Sequence, residues 1–88
     1  MQSLDLGQLR TFLAVLDAGS LTAAAPRVFL SQSAVSEQMR KLEESTGQDL
    51  LSRGKTGVQP TASGERLRRH ALQLVALADE ALRDLRGE

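Results

Sequence analysis

The stretch from Ala62 to Leu85 constrains this chain most, because it contains no proline and predicts one continuous helix with Thr61 as its N-cap. Apolar residues recur along it at alternating spacings of four and three, the heptad pattern of a helix that packs along a seam. These seam positions are Leu67, Ala71, Leu74, Ala78, Ala81 and Leu85. A helix of about 24 residues is ~36 Å long, more than the preceding domain can cover. We therefore expect the seam to pair two chains; the alternative is that it packs wholly on its own domain.

The 88 residues divide into a domain at 1–60 and the long helix at 61–88. The hydrophobic fraction of 41% is ordinary for a globular domain, and no apolar run approaches the ~20 residues that a membrane span needs. Cysteine is absent, which excludes disulfides and thiolate metal sites. Residues 1–5 carry no basic and apolar leader, so we expect a cytoplasmic protein with no membrane partner. No cofactor is expected.

Two helices are predicted near the start of the chain. An apolar stripe begins at Leu9 with the spacing of an amphipathic helix, which Gly19 ends. Ser20 is the expected N-cap of a short, alanine-rich second helix. Pro26 falls inside this second helix and removes one backbone hydrogen bond, so the helix should be short or bent.

A third helix is predicted over Gln32–Thr46, with Ser31 as its N-cap and Gly47 as its end. Its apolar positions, four and three residues apart, predict a buried stripe. The opposite face is polar, with hydroxyl and amide groups in its first turns, where such residues are poor helix formers. These polar positions are Gln32, Ser33, Ser36, Glu37 and Arg40. Their side chains can read base edges in a major groove, although Ser31 and Ser33 could instead serve only as helix caps.

Residues 50–60 have the composition of a β-hairpin, in which apolar residues flank Arg53-Gly54-Lys55-Thr56-Gly57. The basic side chains Arg53 and Lys55 could contact phosphate or a minor groove. The net charge of the whole chain is zero, but its distribution is uneven: segment 51–70 carries +4, whereas 1–50 and 71–88 each carry −2. One basic surface can therefore face a polyanion while the rest of the protein balances it.

Residues 6–65 resemble the DNA-binding domain of LysR-type bacterial transcription regulators. The resemblance is carried by QLRTF in the first helix, GSLTAAA at the second, SQSAVSEQMRKLE in the third, LLSR before the hairpin and TASG at the long helix. It implies a mainly α fold, a winged helix-turn-helix of three helices and a small β-hairpin wing, followed by a dimerisation helix. Pro26 and Glu37 depart from the family pattern, since the family commonly has a basic residue at the second of these positions.

The resemblance also implies roles. The helix-turn-helix is 21–40, the recognition helix 32–46 lies in the major groove, and the wing lies on the backbone or in the minor groove. The implied DNA-contact residues are Ser31, Gln32, Ser33, Ser36, Glu37, Arg40, Arg53, Lys55 and Thr61. The partners would be a palindromic double-stranded operator and a second copy of the chain, or a tetramer in the full-length protein. A small-molecule effector would bind only in a C-terminal domain that this chain lacks.

Other functions are less consistent with the sequence. His70 is the only histidine and has no cysteine or triad partner, and the acidic pairs Glu43-Glu44 and Asp79-Glu80 are expected on exposed helix turns, so no enzyme is expected. Two alternatives stay open, a helical dimerisation module that never touches DNA and the winged domain of molybdate-responsive regulators. The zero net charge favours the first, and the SQSAVS string argues against the second.

Overall fold

A computed structural model describes residues 2–88, so Met1 at the start of the predicted domain 1–60 lies outside the described residues. The chain forms four α-helices and one two-stranded antiparallel sheet, and a short 3-10 helix at Ala25–Val28 follows the second α-helix. The elements are α1 (Leu6–Ala18), α2 (Leu21–Ala24), α3 (Gln32–Thr46), β1 (Leu51–Gly54), β2 (Gly57–Pro60) and α4 (Ala62–Arg86). The predicted architecture of three helices, a hairpin and a long helix is confirmed.

Side-chain caps start the helices where the sequence placed them. The hydroxyls of Ser20, Ser31 and Thr61 accept hydrogen bonds from backbone N–H groups three residues ahead, at 2.9, 3.1 and 3.0 Å. Asp5 does the same for α1, its Oδ1 accepting from Gln8 N at 2.9 Å. Each such cap stabilises its helix by ~1 kcal/mol, and together they fix where the chain turns.

The second helix is short, as the proline predicted. Its α-helical part ends at Ala24, and the chain continues as a 3-10 turn with Pro26 in its first positions. A proline has no N–H to donate to the preceding turn, so the regular α-helical ladder stops here. Phe29 then adopts a left-handed conformation with φ of 58°, which directs the chain into α3.

The core lies where α1, α2, α3 and the start of α4 meet. Its fully buried side chains come mainly from α1 and α3, and the largest are Phe12, Leu9, Met39, Leu42, Leu50, Val15 and Val35. Ala24 is also fully buried, and its small side chain lets α2 approach the other helices closely. A single polar pair bridges α1 and α3, in which Thr11 Oγ1 donates to Gln38 Oε1 at 2.6 Å. This core fixes the orientation of α3 and hence of its polar face.

The hairpin packs against the helices through its apolar side chains. Arg53 pairs with Val58 and Gly54 with Gly57 in the antiparallel register, as the two glycines predicted. Val58 N also donates to the carbonyl oxygen of Gly19 at 2.9 Å, which ties β2 to the end of α1. Gly57 has φ of 106°, and a Cβ there would lie 2.5 Å from the same oxygen, so only glycine fits this contact.

Helix α4 is continuous over Ala62–Arg86, which confirms the predicted long helix, and the described part of the chain measures 46 × 29 × 21 Å. This packing divides the predicted seam. Leu67 and Ala71 are buried in the core of their own domain, which leaves little of either side chain to contact a second chain. The start of α4 is so close to the preceding loop that a Cβ on Gly64 would overlap the carbonyl oxygen of Leu50. Within residues 2–88, no helix is long and apolar enough to cross a membrane.

Candidate nucleic-acid interface

Six of the predicted contact residues line one open groove between α3 and the hairpin, with a volume of about 540 Å³. They are Gln32, Ser33, Ser36, Glu37, Arg40 and Arg53. Ser33, Ser36, Glu37 and Arg40 lie on the side of α3 away from its buried stripe, and Gln32 is exposed in its first turn. The core contacts of α3 therefore determine which side chains face solvent, and these include amide, hydroxyl and carboxylate groups.

The start of α3 presents polar side chains whose capacity to bind is only partly used within the protein. Ser31 Oγ accepts from Ala34 N as the helix cap and shares a hydrogen bond with Ser33 Oγ at 3.2 Å, so its hydroxyl is engaged within the fold. The side-chain hydrogen bonds of α3 found among residues 2–88 include none from Gln32 or Ser36, and both side chains line the groove. An amide and a hydroxyl in this position can both donate and accept, as reading of base edges requires.

Arg40 is engaged on its own helix. Its Nη2 donates to Glu37 Oε1 at 2.6 Å and its Nη1 to Glu44 Oε2 at 2.9 Å. The Nε–H is shared between both oxygens of Glu37 at 3.1 Å each. These hydrogen bonds raise the pKa of Arg40, and the bond from Arg40 lowers the pKa of Glu37. The predicted contact Arg40 is thus already paired with two carboxylates.

The hairpin brings one basic side chain to α3. Arg53 and its cross-strand partner Val58 lie on the same face of the sheet, and this face packs against the helices. Arg53 therefore lines the groove. Lys55 is exposed in the turn between the strands and does not line the groove. The two predicted wing cations therefore occupy different places, one beside the recognition helix and one at the tip.

Thr61, which the family resemblance placed in the interface, has an internal use. Its Oγ1 accepts from Gly64 N at 3.0 Å and donates to the carbonyl oxygen of Asp49 at 2.6 Å. Its hydroxyl caps α4, as the sequence predicted, and also closes the loop before β1.

Glu43 is a residue that the sequence did not single out correctly. It was expected on an exposed turn, but it is half-buried, and its Oε2 accepts from the backbone N–H groups of Leu50 and Leu51 at 2.8 and 3.3 Å. This carboxylate links the end of α3 to the start of β1 and so positions the hairpin beside the groove. The contact depends on the chain reversal after α3, which no spacing in the sequence reveals.

The ion pairs of the described residues show which basic side chains are already neutralised within the protein. Three arginines outside the basic segment, Arg10, Arg27 and Arg40, are paired with carboxylates on their own chain. Within residues 2–88, the five basic residues of segment 51–70 form no ion pair: Arg53, Lys55, Arg66, Arg68 and Arg69. The positive charge of this segment is therefore available to a polyanion. The same described residues contain no cluster of potential metal ligands.

The sequence of this chain is similar to those of known regulatory proteins. Residues 6–65 match the model of the family described as bacterial regulatory helix-turn-helix protein, lysR family. The HTH-type transcriptional regulator DgdR of Burkholderia cepacia is 42% identical over 86 residues, which are 98% of this chain and 29% of that protein. AbaB of Streptomyces antibioticus, an HTH-type transcriptional regulator, is 44% identical over 85 residues, 92% of this chain and 28% of that protein. The chain thus spans less than a third of the length of these relatives.

Solved structures agree with the fold. The crystal structure of the CbnR DBD–DNA complex has a TM-score of 0.89 and 34% identity, and covers 96% of this chain and 97% of that one. The crystal structure of CbnR, a LysR family transcriptional regulator, has a TM-score of 0.90 and 35% identity, and covers 94% of this chain and 29% of that one. The two structures are similar to this chain in fold and, at these identities, in sequence.

Proposed function

Since this chain belongs to the lysR family of bacterial regulatory helix-turn-helix proteins, we propose that it binds double-stranded DNA sequence-specifically as the DNA-binding part of a transcription regulator. The observation that carries the proposal is the groove in which the polar face of α3 and Arg53 of the hairpin lie together. A major groove ~12 Å wide accepts a helix, and base edges there present distinct donor and acceptor patterns. A DNA complex of a protein with the same fold is known for CbnR.

The recognition step uses the start of α3. Gln32 and Ser36 carry groups that the fold does not engage, and Gln32 can bind adenine through both its donor and its acceptor. Ser33 lies on the same face, one turn before Glu37. We assign base reading to Gln32, with Ser33 and Ser36 contacting bases or phosphates beside it.

The basic hairpin contributes affinity through contacts with the DNA backbone. Arg53 holds the DNA backbone beside the recognition helix, and Lys55 reaches the backbone or the minor groove from the tip. Each phosphate neutralised by such a cation releases counterions, so the affinity falls as the salt concentration rises. The cations of segment 51–70 that form no ion pair among the described residues provide this salt-dependent part of the affinity, whereas the paired arginines elsewhere contribute little to it.

A second copy of the chain would complete the binding unit. An apolar groove of about 430 Å³ lies between the start of α1 and the second half of α4, and its lining includes Leu74, Ala78 and Ala81 of the predicted seam. Pairing two α4 helices antiparallel through these residues and Leu85 would bury leucines worth ~1.5–3 kcal/mol each. The homodimer would hold two recognition helices on a palindromic operator with half-sites about one helical turn or more apart.

The remaining properties concern the whole regulator. In the longer protein we expect a homodimer or tetramer in the cytoplasm, with a small-molecule effector bound outside the residues of this chain. We expect no catalytic activity, since the relatives of this chain are transcriptional regulators.

The proposal is tested by selecting bound sites from random duplexes and then titrating the selected site and a scrambled duplex at several salt concentrations. Gln32→Ala should relax the preference at one position and cost ~1–3 kcal/mol on the selected site alone. Arg53→Ala should weaken both duplexes and reduce the salt slope by about one unit. Arg83→Ala is the matched control and should change neither, because it removes a cation near the far end of α4 that forms no ion pair among residues 2–88. Uniform effects of both substitutions on both duplexes would contradict the assigned roles.

A further inference from the structure

Glu37 occupies an unexpected position for an acidic residue in a DNA-binding protein. It lies on α3 almost directly opposite the buried stripe, one turn after Ser33, and its side chain is 49% exposed. A bare carboxylate there would face the phosphates and oppose binding. The surroundings of Glu37 must therefore offset its charge if α3 is to enter a groove.

Arg40 provides that offset. Its guanidinium donates to Glu37 through Nε and Nη2, and its Nη1 donates to Glu44 Oε2 at 2.9 Å. Three of its five N–H groups are thus engaged by carboxylates, so a bidentate contact of Arg40 with guanine would have to compete with these bonds. The arginine is thus oriented along the helix toward its own carboxylates, and it holds Glu37 in one place.

The pairing leaves Glu37 with acceptor capacity. A carboxylate offers about four lone-pair sites. Oε1 accepts from Nη2 at 2.6 Å and from Nε at 3.1 Å, whereas Oε2 accepts only from Nε at 3.1 Å. The hydrogen bond from Arg40 lowers the pKa of Glu37, so the group stays ionised and purely an acceptor near neutral pH. One site on Oε2 therefore remains for a donor from outside the protein.

The major groove contains two kinds of donor, the amino groups of cytosine and adenine. The adenine amino group lies beside the N7 acceptor of the same base, which repels a carboxylate, whereas cytosine presents its N4 amino group without such a neighbour. A fixed, ionised acceptor on the outermost face of α3 is thus chemically matched to cytosine.

We propose that Glu37 accepts a hydrogen bond from the N4 amino group of a cytosine in the operator, and that Arg40 is the positioning residue that orients Glu37 and offsets its charge. This inference rests on the DNA-binding function proposed above and names one base that the groove reads. It also assigns Arg40 a different role from the direct DNA contact that the family resemblance implied.

The test is a selection from random duplexes with the wild-type chain and with Glu37→Gln, followed by titration of the selected site and its single-base variants. The wild type should prefer cytosine at one position of the half-site by about tenfold or more. In Glu37→Gln this preference should fall below about threefold or shift to adenine, which glutamine can bind through its donor and acceptor together. The preferences at the other positions should be unchanged. Glu44→Gln is the matched control: it removes one charge near the same helix face while its amide oxygen can still accept from Arg40 Nη1, so the cytosine preference should be kept.

A second pair of variants tests the positioning role. Arg40→Gln should weaken the cytosine preference, because it leaves Glu37 mobile and its charge uncompensated. Arg40→Lys should restore part of the preference, whereas a direct phosphate contact by Arg40 would alter affinity for all duplexes and leave the preference intact. Circular dichroism should show that every variant keeps its helical content, as expected for exposed side chains.

Several outcomes would overturn the inference. If Glu37→Gln tightens all duplexes equally without changing any base preference, the carboxylate only repels phosphate. If Glu37→Gln changes neither affinity nor base preference, the side chain of Glu37 does not contact DNA. These results would leave the proposed function intact as long as the wild type still selects a site, whereas a wild type that binds no duplex in a salt-dependent manner would overturn both.

Discussion

The two halves of α4 continue one heptad pattern but have opposite environments. In the first half, over 62–73, Leu67 and Ala71 are buried in the core. In the second half, over 74–86, Leu77 is 62% exposed and Leu85 is 84% exposed. The spacing of apolar residues therefore identifies a stripe that must be covered, but it does not tell which chain covers it. The first half completes its own domain, and the second half extends past it.

The packing around the helix explains where the division falls. The hairpin, α1 and the loop at Leu50 surround the first turns, whereas the second half is joined to the domain by the ion pair between Arg10 and Asp79, at 2.8 Å. We therefore expect the first half to govern the stability of the fold and the second half to govern association. The four predictions below test this division.

The largest effect is expected from removing an apolar side chain in the packed half. Leu67→Ala should lower the free energy of unfolding by ~2–5 kcal/mol, because it leaves a cavity in the core. Leu85→Ala in the exposed half should change it by less than ~0.5 kcal/mol. Urea unfolding at a concentration where the chain is monomeric measures both. Equal losses for the two variants would show that the halves do not differ as described.

The second effect concerns association. Leu74→Glu should give monomers that keep their helical content, because Leu74 lies on the apolar groove and not in the core. Loss of the second binding unit should weaken affinity for a palindromic site by ~100-fold or more. Sedimentation and DNA titration check the two parts. Ala76→Glu, exposed on the opposite side of α4, is the control and should leave the dimer intact; a wild-type chain that stays monomeric at high micromolar concentration would contradict the proposal.

The third effect reverses the usual helix propensities. Gly64→Ala should destabilise the fold by ~1–3 kcal/mol, because the new Cβ meets the carbonyl oxygen of Leu50. In the exposed half the ordinary preference should hold, so Ala76→Gly should cost ~1 kcal/mol through helix propensity alone. Thermal unfolding of both variants is sufficient. A stabilising Gly64→Ala would mean that the start of α4 can move away from the preceding loop.

The smallest effect is expected at the ion pair that joins the second half to α1. The hydrogen bond from Arg10 lowers the pKa of Asp79 below its ordinary value of 3.8, so the pair stabilises the fold above that value and its contribution disappears as the pH falls through the folded-state pKa. Because both side chains are largely exposed, the effect should be slight. Asp79→Asn should lower the Tm slightly at neutral pH and not in strong acid. Glu80→Gln is the neighbouring control, and an equal Tm shift at both pH values would exclude this ion pair as the cause.

Local signals in the sequence were sufficient for much of this fold. Capping hydroxyls at Ser20, Ser31 and Thr61, together with the glycine pair of the hairpin, act within a few residues of the features they determine, and all are found as predicted. Pro26 likewise shortened its own helix.

Features that depend on distant contacts could not be predicted in this way. The carboxylate of Glu43 reaches the start of β1 only because the chain reverses after α3, and the burial of Leu67 and Ala71 depends on how α4 crosses the domain. The same holds for the site. The polar face of α3 was visible in the spacing, but the pairing of Arg40 with Glu37 and Glu44 had to be seen in the structure.

The contact between the hairpin and the end of α1 has a consequence for how the protein distinguishes DNA sequences. Val58 donates to the carbonyl oxygen of Gly19, and the absence of a side chain on Gly57 allows the hairpin to approach that oxygen closely. If these contacts hold the wing at a fixed distance from α3, the duplex has to adapt to the wing. The energy needed to bend or narrow a groove depends on the base steps being deformed. Base pairs that no side chain touches would then contribute to operator choice, through the stiffness of the DNA between the recognition helix and the wing.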